Sequence, residues 1–411
     1  VAKGFMELRP AAEVLELFTR FTPLTRVERL PLAEAVGRVT AEELRAAEPV
    51  PAFARSLMDG FAVRAREVAA ARETSPQVLE LAGEVRMGQP PPGPLPPGQA
   101  MAIPTGGMLP EGADAVVMVE HTRPLGGSAV EICRAVASGE HVLQAGQDVP
   151  GGGLLMPAGH ALSPLDLGAL LTAGLTHARV HARPRVAVLS TGDELVEPGA
   201  PVGPGQVRDT NALTLAAQVR AWGGEPEVLP RSGDVYAELL QAAQAGLARA
   251  DVLLLSGGSS VGVRDHTARV LAALGPPGLL VSGVALAPGK PTLVADAGGR
   301  PALGLPGHPV SSFVVFQVLV GPLLDRLGGR ARARLRPRVR GRLTQNLPGA
   351  AGRDTYVRVR LAEDPEGVRV VPVRGDSAVY SSLLGCDGLA CIPAAREGLA
   401  EGDEVEVELL R

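Results

Sequence analysis

Three apolar stretches in the middle of the chain each run into a turn built mostly of glycine, proline, hydroxyl and carboxylate residues. "RVAVLS" (185–190) leads into "TGDEL" (191–195), "DVLLL" (251–255) into "SGGSSVGVRD" (256–265), and "PALGL" (301–305) into "PGHPVSS" (306–312). A reversal of direction needs only one glycine. This much bare backbone lets peptide N–H groups approach an oxyanion closely, and the hydroxyls add donors. Thr191, Gly192, Ser256, Gly257, Gly258, Ser259 and Gly307 are therefore candidate contacts to a phosphorylated ligand. His308 stands among them, although a histidine in such a turn reads first as hydrogen-bonded across it. Each charge-assisted hydrogen bond contributes about 1.5–3 kcal/mol, so several together hold such a ligand at micromolar affinity.

Carboxylates beside an anion need a cation between them. Asp193, Glu194, Asp234 and Asp265 are candidates for Mg2+, which takes one or two carboxylates and shares its shell with substrate phosphate. Any one of these aspartates alone is explained as well by a helix cap or a turn; several at one sheet edge are not. Lys290, in "APGKP" (287–291), and Lys3 are the only lysines in a chain with 40 Lys and Arg residues. In a chain that otherwise chooses arginine, a compact ammonium reads as a point charge for phosphate or another oxyanion. "GGSSVG" lacks the lysine and final Ser or Thr of a P-loop, and no Ser-His-Asp arrangement can be read from spacing.

An α/β sheet must hold these turns in place. Apolar spacing predicts helices over 211–222, 237–248, 265–274 and 309–327, alternating with the continuous apolar strands. That alternation makes a doubly wound parallel sheet, whose ligands bind outside the carboxyl ends of its strands. Upstream, 10–22, 32–44 and 163–173 read as helices, and 78–85, 99–106, 113–120 and 128–133 as short strands between proline and glycine clusters. Downstream, 338–411 holds several short strands and no convincing helix, which suits a small β-barrel or sandwich. The arginine run at 326–343 reads as a solvated connector.

Composition bounds the class. A chain of 411 residues needs more than one core. With 45% hydrophobic and 20% charged residues it falls among soluble globular proteins. A net charge of −4 supplies no general attraction to nucleic acid. The longest apolar run, 310–324, is broken by polar residues and is shorter than the ~20 residues that cross a bilayer, so no membrane contact is expected. The first residues lack the apolar core of a secretory signal. Cys133, Cys386 and Cys391 are odd in number and form no CxxC pair, which fits a reducing compartment; the cytoplasm is expected.

"SLMDGFAVR", "IPTGGMLPEGADAVVMVE", "AVLSTGDEL", "DVLLLSGGSSVGVRD", "PGKP" and "LPGHPVSS" follow one another in an order that resembles the molybdopterin molybdenumtransferases. These enzymes insert molybdate into molybdopterin and are related to the C-terminal catalytic region of gephyrin. The resemblance covers essentially the whole chain. It implies a multidomain α/β plus β protein: an extended region from 1–30 and 150–183, an inserted β-rich domain at 31–149, an α/β molybdopterin-binding domain at 184–328 and a C-terminal β-barrel at 335–411. It also implies a homodimer with a shared active site. In the implied reaction molybdate enters the dithiolene of adenylylated molybdopterin, AMP leaves and Mg2+ assists.

Residue by residue, the resemblance carries over Asp59, Thr105 and Asp148 from the inserted domain. Glu194, Asp234, Asp265, Lys290, Pro306 and Pro309 follow from the α/β domain, and Arg353 and Ser377 from the barrel. Asp59, Glu194 and Asp265 are the implied catalytic carboxylates and metal ligands. The chain departs from the family at "VSGVALA" (281–287), which lacks basic residues common before "PGKP", and at His308, where asparagine is common. Two other readings fit parts of the pattern. One is an adenylyltransferase that activates molybdopterin with ATP, which the α/β crevice alone would suit. The other is a non-catalytic pterin-binding scaffold.

Overall fold

In the computed structural model, which describes residues 7–257, 261–365 and 367–410, the chain divides into two units. One comprises residues up to 28, 37–39 and 181 onward; the other comprises 29–36 and 40–180.

The first unit is built on a six-stranded sheet of β1 (Arg185–Thr191), β2 (Glu225–Val228), β3 (Val252–Gly257), β4 (Pro277–Ser282), β5 (Leu293–Ala297) and β6 (Pro301–Leu305). Their order is β2-β1-β3-β6-β5-β4. The first four are mutually parallel, and β5 runs antiparallel to both β6 and β4. Helices α1 (Asn211–Ala221), α2 (Tyr236–Arg249), α3 (Val261–Ala273) and α4 (Pro309–Leu327) connect and cover the strands. The continuous apolar strands follow from burial on both faces. Val186, Val188, Val252 and Leu254 meet Leu215 and Val219 of α1 and Phe316 and Leu319 of α4 on one face. Ala187, Leu189, Leu253 and Leu255 meet Leu239 and Leu247 of α2 and Val270 of α3 on the other. Helix α4 is long and apolar enough to cross a bilayer, but 67% of its apolar window is buried in this core.

The second part of this unit is a closed barrel of β7 (Arg338–Leu343), β8 (Asp354–Asp364), β9 (Gly367–Pro372), β10 (Gly388–Ile392) and β11 (Glu404–Leu409). The ring closes in the order β8-β9-β7-β11-β10, with β10 returning to β8. Strand β11 reads "EVEVEL": Val405 and Val407 point into the barrel core while the glutamates point out. The glutamates stand opposite Arg338, Arg340 and Arg342 of β7, so the last third of the arginine run is a barrel strand in a charge-matched pair and not a solvated connector.

In the second unit six strands form a sheet in the order Ala115–Met118, Gly60–Val63, Gln99–Ile103, Gln77–Glu84, Ala129–Ile132, Thr122–Leu125. A separate cluster packs Leu32, Ala35 and Leu44 with Leu162, with Leu170 of helix Pro164–Thr172 and with Val180. Two boundaries read from the sequence therefore move. Residues 32–44 pack with the 150–180 segment and not with the inserted sheet. The N-terminal helix Ala11–Leu17 packs through Ala11 and Val14 into the α/β core and not into a connector. The helix expected over 32–44 is a single turn, Leu32–Ala35; beyond it Gly37 takes a φ of +78°, which ends the turn.

Candidate active site

The switch point of the sheet lies between β1 and β3, because the connection from β1 leads outward to β2 on one side and the chain then returns to β3 on the other. A cleft of about 370 Å³ opens there. The three glycine-bearing turns do converge on it: Thr191 and Glu194 after β1, Ser256 and Gly257 at the end of β3, and Gly307, His308 and Pro309 after β6 all line it. Pro306, between β6 and Gly307, is buried.

Register explains the cleft's floor. Ser190 is opposite Ser256, and Thr191 opposite Gly257. Gly257 has a φ of +141°, and a Cβ there would sit 2.1 Å from the Thr191 carbonyl oxygen, so no other residue fits. By strand alternation Ser190 and Ser256 continue the face that carries Val188 and Leu254, where α1 begins. Asn211, the first residue of α1, reaches them: its Nδ2 donates to Ser256 Oγ at 2.9 Å and to the Gly307 carbonyl at 2.8 Å. Sequence reasoning placed Asn211 at the start of a helix over 211–222 and gave it no role. Asp209 does act there, since its Oδ1 accepts from the Ala212 N–H at 3.1 Å. The available signal was an amide side chain two residues past the capping Asp209, at the carboxyl edge of the sheet.

The carboxylates divide by role. The Thr191 hydroxyl lies 3.1 Å from Asp234 Oδ1, and the Asp234 N–H donates to Asp193 Oδ1 at 3.1 Å. Asp193 and Asp234 thus brace the turns. Glu194 is exposed at the cleft, its carbonyl accepting from the Val207 N–H at 2.8 Å and its carboxylate, with no hydrogen-bond partner among the described residues, folded over Gly192. Asp265 falls in α3, and its side chain lies outside the described residues, as do Gly258 and Ser259. Among the described residues no three His, Cys, Asp or Glu side chains stand close enough to form a metal cluster. Glu194, one free carboxylate, suits a Mg2+ that completes its shell with phosphate oxygens and water.

Lys290 does not line the cleft but shares its edge. Leu293 of β5 is opposite Gly304 of β6, so the turn before β5 falls where β6 ends. Lys290 is exposed there and has no ion-pair partner among the described residues. The barrel reaches the same turn. Leu286 and Ala287 pair with Asp354 and Thr355, and the Asp354 N–H donates to the Ala285 carbonyl at 2.9 Å, which places Arg353 beside the strand leading to Lys290. Ser377 contacts the turn after β6: its Oγ is 2.8 Å from His308 Nδ1, and its carbonyl accepts from the Val310 N–H at 3.1 Å. His308 is therefore bonded to the barrel, not across its own turn.

In the second unit Asp59 Oδ1 accepts from the Thr105 N–H at 2.7 Å and from its hydroxyl at 3.0 Å. The backbone N–H first, and then the hydroxyl, hold this exposed carboxyl below the usual carboxylate range. Asp148 is exposed, and its N–H donates to the Val50 carbonyl at 3.0 Å. The buried Cys386 thiol is pushed up by burial and donates to the Gly388 carbonyl, so it is a packed thiol and not a nucleophile.

Three family descriptions match in series: the MoeA N-terminal region (domain I and II) over residues 9–174, a probable molybdopterin binding domain over 187–326, and the MoeA C-terminal region (domain IV) over 340–410. The chain is 36% identical to a molybdopterin molybdenumtransferase of Nostoc sp., across 92% of this chain and 88% of the relative. It is 31% identical to that of Bacillus subtilis, across 98% and 94%. Two crystal structures of the molybdopterin biosynthesis MoeA protein of Pyrococcus horikoshii superpose with a TM-score of 0.84, at 34% and 28% identity, covering 98% of this chain and 100% of theirs.

Proposed function

This chain belongs to the molybdopterin molybdenumtransferase (MoeA) family, and we propose that its cleft takes adenylylated molybdopterin and exchanges AMP for molybdate at the dithiolene. It is an enzyme of molybdenum cofactor biosynthesis that transfers molybdenum. The observation that carries the finer reading is the cleft at the sheet's switch point, inside the matched molybdopterin-binding domain, with a free carboxylate and donor-rich turns around it.

The chemistry asks for charge management. Molybdate is a dianion, and seating it near a phosphoanhydride gathers negative charge at one edge. In this reading Lys290 offsets that charge, with Arg353 beside it. Glu194 would hold Mg2+, with Asp59 and Asp265 as its companions, and such an ion would supply positive charge for the phosphate oxygens. Pro306 and Pro309 fix the turn after β6, and His308 ties it to Ser377. The sulfur nucleophiles belong to the pterin, so no catalytic cysteine is required.

A homodimer in cytoplasm completes the proposal, with Asp59, Thr105 and Asp148 of one subunit serving the cleft of its partner. The exposed Phe53, Leu57, Met58, Met87 and Met108 gathered around the Asp59 turn support it, since apolar surface of that kind marks an interface. The test uses two inactive variants, Asp59→Ala and Glu194→Ala, co-expressed with different tags. A mixed dimer has one site with both carboxylates intact only if they come from different subunits. AMP release near half the wild-type rate is expected from the mixed dimer; none would show that each subunit uses its own pair. Equal activity of Glu194→Ala and wild type would remove Glu194 from the reaction.

A further inference from the structure

The polar groups at the cleft's floor are not used up by the fold. Asn211 is 8% exposed, and both its amide protons are taken, one by Ser256 Oγ and one by the Gly307 carbonyl. Gly307 O can only accept, so the NH2 end must face it and the amide cannot be reversed. That leaves Oδ1, which is buried and has no partner among the described residues. Ser190 Oγ, also lining the cleft and 2% exposed, has none either. Ser256 accepts from Asn211, which leaves its own proton to donate. Two buried polar atoms left unpaired on the lining of one cleft call for a partner that the fold does not supply.

We propose that Asn211 Oδ1 is a recognition atom of this cleft: it accepts a hydrogen bond from a ring N–H or amino group of the substrate's heterocycle, with the Ser190 and Ser256 hydroxyls as adjacent partners. The inference rests on the substrate reading above. It names an interaction with the heterocycle, separate from the charged groups assigned to phosphate, metal and molybdate. Two parts of that substrate present such N–H groups, the pterin ring and the adenine of the adenylyl group. The geometry at Asn211 is the same for either: an acceptor fixed in direction by two donor bonds and desolvated, so that a ligand lacking the N–H leaves it unpaired.

The test is a protein-by-ligand cycle on the full-length chain, read by fluorescence titration or calorimetry. One arm compares pterin with lumazine, which lacks the amino group, and with 3-methylpterin, which lacks the ring N–H. The other compares AMP with the purine ribonucleotide that lacks the 6-amino group. Wild type is expected to prefer the full donor set in one arm by about tenfold. Asn211→Ala should bring that preference close to one. A purely structural asparagine would weaken all ligands alike and leave the ratio unmoved; that result overturns the inference. Should Asn211→Ala fail to fold, a wild type that binds the analogues as tightly as their parents overturns it equally. A wild type that binds neither pterin nor AMP sinks the substrate reading, and the inference with it.

Discussion

The cleft floor and the arginine stack around Trp222 both gather polar groups onto the α/β core, and they treat them in opposite ways. At Trp222, Arg334 and Arg336 lie over the indole with guanidinium carbons 4.7 and 4.5 Å from its centre. Arg330 and Arg334 share Asp325 at 3.1 and 3.0 Å, and Arg336 is bonded to Glu408 and the Gln317 carbonyl. Those interactions all lie within the protein, and they tie the barrel to the α/β layer. At the cleft, Ser190 Oγ and Asn211 Oδ1 are buried but, among the described residues, unpaired. A polar cluster that satisfies itself is structural; one that keeps buried capacity open is built for something that arrives.

If that contrast is right, truncations at the two places should move stability in opposite directions. The largest effect is expected at Trp222→Ala, which removes a core aromatic and two cation–π contacts and should cost about 3–5 kcal/mol in guanidinium unfolding. Asp325→Ala comes next. It strands two arginines that are partly buried, and about 2 kcal/mol is expected after allowing for solvent around Arg334. Ser190→Ala should do the reverse of both: it deletes a buried hydroxyl that has no partner among the described residues, so stability should hold or rise by up to about 1 kcal/mol while affinity for the heterocycle the cleft floor serves falls. A Ser190→Ala protein as destabilised as Asp325→Ala would erase the distinction between the two clusters.

Much of this was legible in the chain. Continuous apolar strands ending in glycine and hydroxyl located the sheet and the edge where its ligands bind, because burial on both faces leaves that pattern. Alternation in "EVEVEL" likewise marked a strand with one wet face. Asn211 was not legible, since an amide at a helix start has the same spelling whether it caps the helix or reaches across to Ser256. The arginine run misled for a similar reason. Its charges looked solvated because their partners, Asp325, Glu406 and Glu408, belong to other elements, and only the fold brings them together. The stretch at 32–44 has helical spacing, but its apolar residues serve a packed cluster with the 150–180 segment after one turn of helix.

The Asp59 turn offers the smallest and most exact test of how a carboxylate is kept ready in this protein. Asp59 Oδ1 takes two bonds from Thr105, and the backbone N–H is the shorter at 2.7 Å. Thr105→Val removes the hydroxyl but leaves that N–H in place. The Asp59 carboxyl should therefore move part of the way toward the usual carboxylate range, while staying below it, in a carbon-detected NMR titration. Because its folded pKa is lowered, Asp59 favours the folded state above the unfolded-state pKa, and that contribution disappears as pH falls through the folded value. In Thr105→Val the interval over which it disappears should narrow from its acidic end. A full return to the ordinary range would mean that the hydroxyl, and not the peptide group, holds the charge, and the turn's backbone would lose its role in presenting Asp59.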